Sequence, residues 1–84
     1  GVGYRILVCE DEAPVRTMTK RILERSGYRV LDASTPKMAL ELLAERNVDL
    51  LLTDVIMPTM NGRDLAEAAR ALIPELPVLF VSGY

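Results

Sequence analysis

Four short apolar runs alternate with three amphipathic stretches along this chain, and that alternation predicts its elements. The runs Tyr4–Cys9, Tyr28–Ala33, Val48–Asp54 and Pro77–Ser82 are aliphatic and bounded by Gly, Pro or acidic residues, the pattern of buried strands. For Val48–Asp54, periodicity alone also allows a buried helix. Between the first two runs, Pro14 to Ser26 places Val15, Met18 and Ile22 at helical spacing, with Leu23 widening the stripe. Arg16, Lys20, Arg21 and Glu24 fill the opposite side. Pro14 suits the first turn of that helix and Gly27 the position after its last. A second helix is expected from a Ser34 or Thr35 cap through Pro36 to about Asn47, with Ala39, Leu42 and Leu43 inward. A third starts at Asn61, carries Leu65, Ala69 and Leu72 on one face, and stops at Pro74.

The order β-α-β-α-β-α-β argues for a parallel sheet with right-handed crossovers. The strands are nearly continuously apolar, as expected when helices cover both faces. The chain has 84 residues, enough for one small α/β domain. Half of them are hydrophobic but only 5% are aromatic, so the core must be aliphatic. A net charge of −2 gives no basic footprint for nucleic acid or an anionic membrane, and no apolar run approaches a membrane span. No signal peptide is visible, and the single Cys9 fits a reducing, cytoplasmic setting. Cys9 lies within an apolar run and reads as a small core residue. The chain has no histidine, which excludes Ser-His triads, histidine zinc sites and phosphohistidine on this chain. Gly1-Val2-Gly3 precedes the first strand and reads as a loose terminus rather than a dinucleotide fingerprint.

Chemistry collects at one sheet edge. All strands of a parallel sheet end on the same side, where open α/β sheets bind ligands. Glu10 and Asp11 follow the first strand, Asp54 ends the third and Ser82 ends the fourth. Three carboxylates in close proximity repel one another, and a hard divalent cation such as Mg²⁺ resolves the conflict with oxygen ligands. Acids, a metal and a hydroxyl together suit a phosphoryl group. Each residue also has a plainer reading. Glu10, Asp11 and Glu12 can be solvated acids, with Asp11 or Glu12 capping the first helix, and Asp54 can be a turn residue.

Ile6-Leu7-Val8-Cys9-Glu10-Asp11-Glu12, Asp54-Val55-Ile56-Met57-Pro58-Thr59-Met60-Asn61-Gly62 and Val78-Leu79-Phe80-Val81-Ser82-Gly83-Tyr84 together resemble the receiver domain of bacterial two-component response regulators. The Glu-Asp-Glu and Phe-Val-Ser-Gly-Tyr variants are similar to receivers attached to hybrid sensor histidine kinases. The resemblance implies a flavodoxin-like, doubly wound sheet with strand order 2-1-3-4 over the residues present. It implies that Asp54 is the phosphoacceptor, attacking a phosphohistidine on a sensor kinase or phosphotransfer domain. Glu10, Asp11, Asp54 and the backbone carbonyl of Ile56 match the Mg²⁺ site, and Ser82 the hydroxyl that senses the phosphoryl group. Met57 and Pro58 would shape the loop, and Gly62 would permit its turn into the third helix. Two family positions govern hydrolysis of the acyl phosphate. Here they hold Ile56 and Tyr84, neither of which orients water, so a long-lived phosphoryl state is expected.

The full family fold has five strands and five helices. Residues 1–84 are therefore expected to be a single, incomplete receiver lacking the fourth helix, fifth strand and fifth helix, with the lysine that ends that strand. Its apolar fourth strand becomes an open edge, suited to pairing with a second copy. Such domains catalyse their own phosphorylation and dephosphorylation without being turnover enzymes. The alternatives are a degenerate receiver acting only as an interaction module, and a phosphatase with an Asp nucleophile. The second is disfavoured by Ile56, where such an enzyme needs a second acid. A nucleotide-binding module lacks its glycine-rich loop.

Overall fold

A computed structural model of the chain describes residues 3–81. Ser82 and Tyr84, to which sequence assigned the sensing hydroxyl and a hydrolysis-controlling position, lie outside the described residues, as does Gly1-Val2. Strand β1 (Arg5–Cys9) leads to helix α1 (Ala13–Arg25), and β2 (Arg29–Ala33) to α2 (Pro36–Glu45). Strand β3 (Leu50–Asp54) leads to α3 (Gly62–Leu72), and β4 (Val78–Val81) closes the series. The four strands form one sheet in the order β2-β1-β3-β4, every pair parallel. This is the doubly wound 2-1-3-4 arrangement expected from the sequence.

Local chemistry sets the element ends. Thr35, rather than Ser34, caps α2, its Oγ1 accepting from the Met38 amide at 3.1 Å. The Asn61 Oδ1 accepts from the Asp64 amide at 2.9 Å and starts α3. Gly27, at φ +94°, ends α1: its amide donates to the Glu24 carbonyl and the Tyr28 amide to that of Leu23, the paired bonds of a Schellman cap. Sequence began the third strand at Val48. Instead, Asp49 caps the start of β1, its carboxylate accepting from the Arg5 amide and its own amide donating to the Arg5 carbonyl, both at 2.8 Å.

The core lies between the β1/β3 centre and helices α2 and α3. Leu7 and Leu51 are fully buried there against Ala39, Leu43, Leu65 and Ala69. Ile6 and Val8, on the opposite face of β1, are also buried, which is why the strand reads as continuously apolar. Cys9 is buried as expected, its Sγ 3.7 Å from the Met57 Sδ. Burial pushes the thiol up to about 11. Near pH 8.5, where an ordinary cysteine is about half thiolate, iodoacetamide should therefore alkylate urea-unfolded protein and leave folded protein unmodified. Equal rates, followed by intact mass, would contradict this packing.

On two helices the covered side is not the apolar stripe that periodicity picks out. Val15, Met18 and Ile22, the apolar stripe of the first helix, are exposed, and α1 buries no residue completely. The sheet-facing side is the one carrying Arg16, Thr19, Lys20 and Leu23, all half-buried. On that side Asp32, near the end of β2, pairs with Arg16 at 3.4 Å and with Lys20 at 3.3 Å. In α3, Leu72 is half exposed, and Ala66 and the residue past the helix, Ile73, take its place at the core. No helix among the described residues is long and apolar enough to cross a membrane.

Candidate functional site

Strand register explains why the acids meet. Cys9 pairs with Thr53 across β1 and β3, so the next residue on each strand, Glu10 and Asp54, emerges side by side at the carboxyl edge. One carboxylate oxygen from each of Glu10, Asp11 and Asp54 lies within 4.8 Å of the others. Sequence thus placed these three correctly. Their environments differ: Glu10 is buried, Asp54 half-buried and Asp11 exposed.

Glu10 is held at three points. Its amide donates to the Ala33 carbonyl at 3.0 Å, its Oε2 accepts from the Glu12 amide at 3.0 Å, and its carbonyl accepts from the Arg16 Nη1 at 2.9 Å. Burial pushes the Glu10 carboxyl above the usual carboxylate range, partly opposed by the Glu12 amide and reinforced by Asp11 and Asp54. Glu12 occupies the N-cap position of α1, but no side-chain bond caps that helix. The capping role considered for Asp11 or Glu12 is therefore absent. The Glu10 side chain instead ties down the turn.

On the acceptor side, Thr53 is buried and donates its hydroxyl to the Asp54 carbonyl at 3.0 Å. The Ile56 amide donates to the Asp54 Oδ1 at 3.3 Å, and the Ile56 side chain is exposed. Gly62 does something other than supply a flexible turn. Its φ is not positive, and its amide donates to the Val55 carbonyl at 2.7 Å. A Cβ there would collide with the Asp54 carbonyl oxygen and stand 3.0 Å from the Val55 Cα. Glycine is required by close approach to the strand end.

The donor set suits a small hard cation. It consists of oxygens alone, three of them from carboxylates, and the neighbouring Cys9 sulfur is a buried, protonated thiol. Mg²⁺ fits such a set, since it accepts a few protein oxygens and retains water.

The model for the response regulator receiver domain matches residues 6–84. The response regulator receiver protein CpdR of Brucella abortus (strain 2308) is 39% identical over 80 residues, which are 95% of this chain and 67% of that protein. The sensor kinase CckA of the same strain is 40% identical over 81 residues, 94% of this chain but only 9% of the kinase. The crystal structure of the receiver domain from the hybrid histidine kinase CckA superposes with a TM-score of 0.88 at 44% identity, covering 95% of this chain and 76% of that one.

Proposed function

This chain belongs to the response regulator receiver domain family of two-component systems, and on that premise we propose that it accepts a phosphoryl group on Asp54. The observation that carries the proposal is the convergence of the Glu10, Asp11 and Asp54 carboxylates at the sheet edge. The donor would be a phosphohistidine on a sensor histidine kinase or phosphotransfer domain. A carboxylate oxygen of Asp54 attacks phosphorus in line, the P–N bond breaks as the O–P bond forms, and the imidazole departs with the electron pair. Glu10, Asp11, Asp54 and the Ile56 carbonyl would hold Mg²⁺, which when bound offsets charge on the phosphoryl oxygens.

The remaining work falls to the chain itself. The Ile56 amide at the Asp54 Oδ1 orients the carboxylate and leaves its other oxygen to attack. Thr53 and Gly62 fix the backbone from which Asp54 projects. Ser82 is assigned the sensing hydroxyl by its place in the motif. The exposed Leu79, Phe80 and Val81 of β4 support the reading that further sheet, from the remaining receiver elements or a second copy, covers this edge.

The test is incubation of the full-length natural protein with Mg²⁺ and acetyl phosphate, followed by intact mass. A Mg²⁺-dependent gain of one phosphoryl group supports the reading, and no gain favours a module that only binds partners.

Once formed, the acyl phosphate should be slow to hydrolyse. Ile56 offers an exposed aliphatic side chain two residues beyond the acceptor, where no carboxylate or amide can orient water. Ile56→Asn should release inorganic phosphate several-fold faster than the natural protein. Equal decay of the two phosphoproteins would rule out this control.

A further inference from the structure

One cationic side chain reaches the acid cluster from behind, and no motif singles it out. Arg16 lies on α1, half-buried, and its guanidinium bridges two chain segments. Its Nη1 donates to the Glu10 carbonyl at 2.9 Å, and its Nε stands 3.4 Å from the Asp32 Oδ2. Lys20 takes the other oxygen of Asp32, at 3.3 Å. Asp32 is thus gripped by two cations, and one of them is fixed against the main chain of Glu10. Only a planar fork spans both partners at once; an ammonium group on a flexible stem meets one or the other.

We infer that Arg16 is a positioning residue for the metal-supported acceptor site. It anchors the β1–α1 turn to the end of β2, so that the Glu10 carboxylate faces Asp11 and Asp54. The inference rests on the reading of that cluster as a Mg²⁺ site. Without Arg16 the Glu10 carbonyl loses its donor, and the turn is held by the Ala33 and Glu12 bonds alone. Partners behind metal ligands are commonly worth one or two orders of magnitude in metal affinity.

The sign of the effect separates positioning from charge. A guanidinium held on the Glu10 carbonyl, behind the acid cluster, repels an incoming cation, so a purely electrostatic Arg16 would weaken Mg²⁺ binding, and its removal would tighten it. Positioning predicts the opposite.

The experiment is calorimetric titration of the full-length natural protein with Mg²⁺, below the melting temperature of every variant. Arg16→Ala should weaken the apparent affinity about tenfold. Arg16→Lys, which keeps the charge and safeguards against a misfolded alanine variant, should show most of the same loss. Lys20→Ala, which loosens Asp32 without touching Glu10, should stay within about twofold of wild type. Unchanged or tighter binding by Arg16→Ala, full rescue by lysine, or an equal loss from Lys20→Ala would each overturn the inference. A lowered melting temperature with unaltered affinity would show a merely structural role and overturn it too. Wild-type protein with no saturable Mg²⁺ binding would instead remove the metal-site reading itself, and this inference with it.

Discussion

Asp54→Asn is expected to abolish phosphoryl uptake, leaving intact mass unchanged after Mg²⁺ and acetyl phosphate while the wild-type protein gains one phosphoryl group. The substitution is nearly isosteric, and the amide oxygen can still accept from the Ile56 amide, as the Asp54 Oδ1 does at 3.3 Å. What disappears is the anionic oxygen that attacks phosphorus, and a neutral amide is too weak a nucleophile to replace it. The loss should not come from unfolding. Asp54 is one of the charges that raise the Glu10 pKa, so neutralising it relieves repulsion in the metal-free site. The variant should melt at or above the wild-type temperature without divalent cation. Neither neighbouring acid replaces it in the proposal: Glu10 is buried and bonded to the Glu12 amide, and Asp11, exposed at the end of β1 on the same edge, is assigned to the metal. A mass gain on Asp54→Asn equal to wild type would move the acceptor elsewhere and end the proposal.

The parts of this protein that were legible in sequence are those fixed by neighbours along the chain. Strand ends, the Asn61 and Gly27 caps and the parallel topology follow from local breakers and periodicity, and strand ends alone bring Glu10, Asp11 and Asp54 to one edge. What stayed hidden depends on contacts between distant segments. The sheet-facing side of α1 meets Asp32, sixteen residues beyond Arg16. Periodicity finds the apolar Val15-Met18-Ile22 stripe but scores hydrophobicity alone, and the side of α1 that meets the sheet is the one carrying Arg16 and Lys20. The same blindness concealed Arg16 as a contact of Glu10. A cluster of basic residues on one helix face, followed by an acid ending the next strand, was the available signal. Gly62 was noticed for the wrong reason, since sequence weighs a glycine by its backbone freedom and not by what lies against its hydrogen atoms.

That distinction makes Gly62→Ala the most informative change outside the acids. Alanine has the better helix propensity, by about 1 kcal/mol, so at the first residue of α3 a simple propensity argument predicts stabilisation. The added methyl would instead meet the Asp54 carbonyl oxygen, with the Val55 Cα at 3.0 Å and the Asp54 carbonyl carbon at 3.2 Å. These are main-chain atoms and no rotamer change can clear them, so either α3 retreats or the end of β3 shifts. Overpacking of this kind costs about 1–3 kcal/mol, which exceeds the propensity gain in most of its range. The Gly62–Val55 hydrogen bond of 2.7 Å couples the two elements, so displacement of one carries the other. Misplacing a reacting group by about an ångström costs on the order of a hundredfold in rate, and the backbone that moves here bears Asp54. Gly62→Ala should therefore lower the denaturation midpoint modestly and the Mg²⁺-dependent phosphorylation rate far more. The comparison that isolates the cause is Leu43→Val, which underfills the core at a buried position on α2 beside Val48 and Asp49, at the sheet edge opposite the acids. It should match Gly62→Ala in lost stability yet phosphorylate at close to the wild-type rate. If both variants slow phosphorylation equally, stability alone sets the rate, and the contact between Gly62 and the acceptor strand has no separate role.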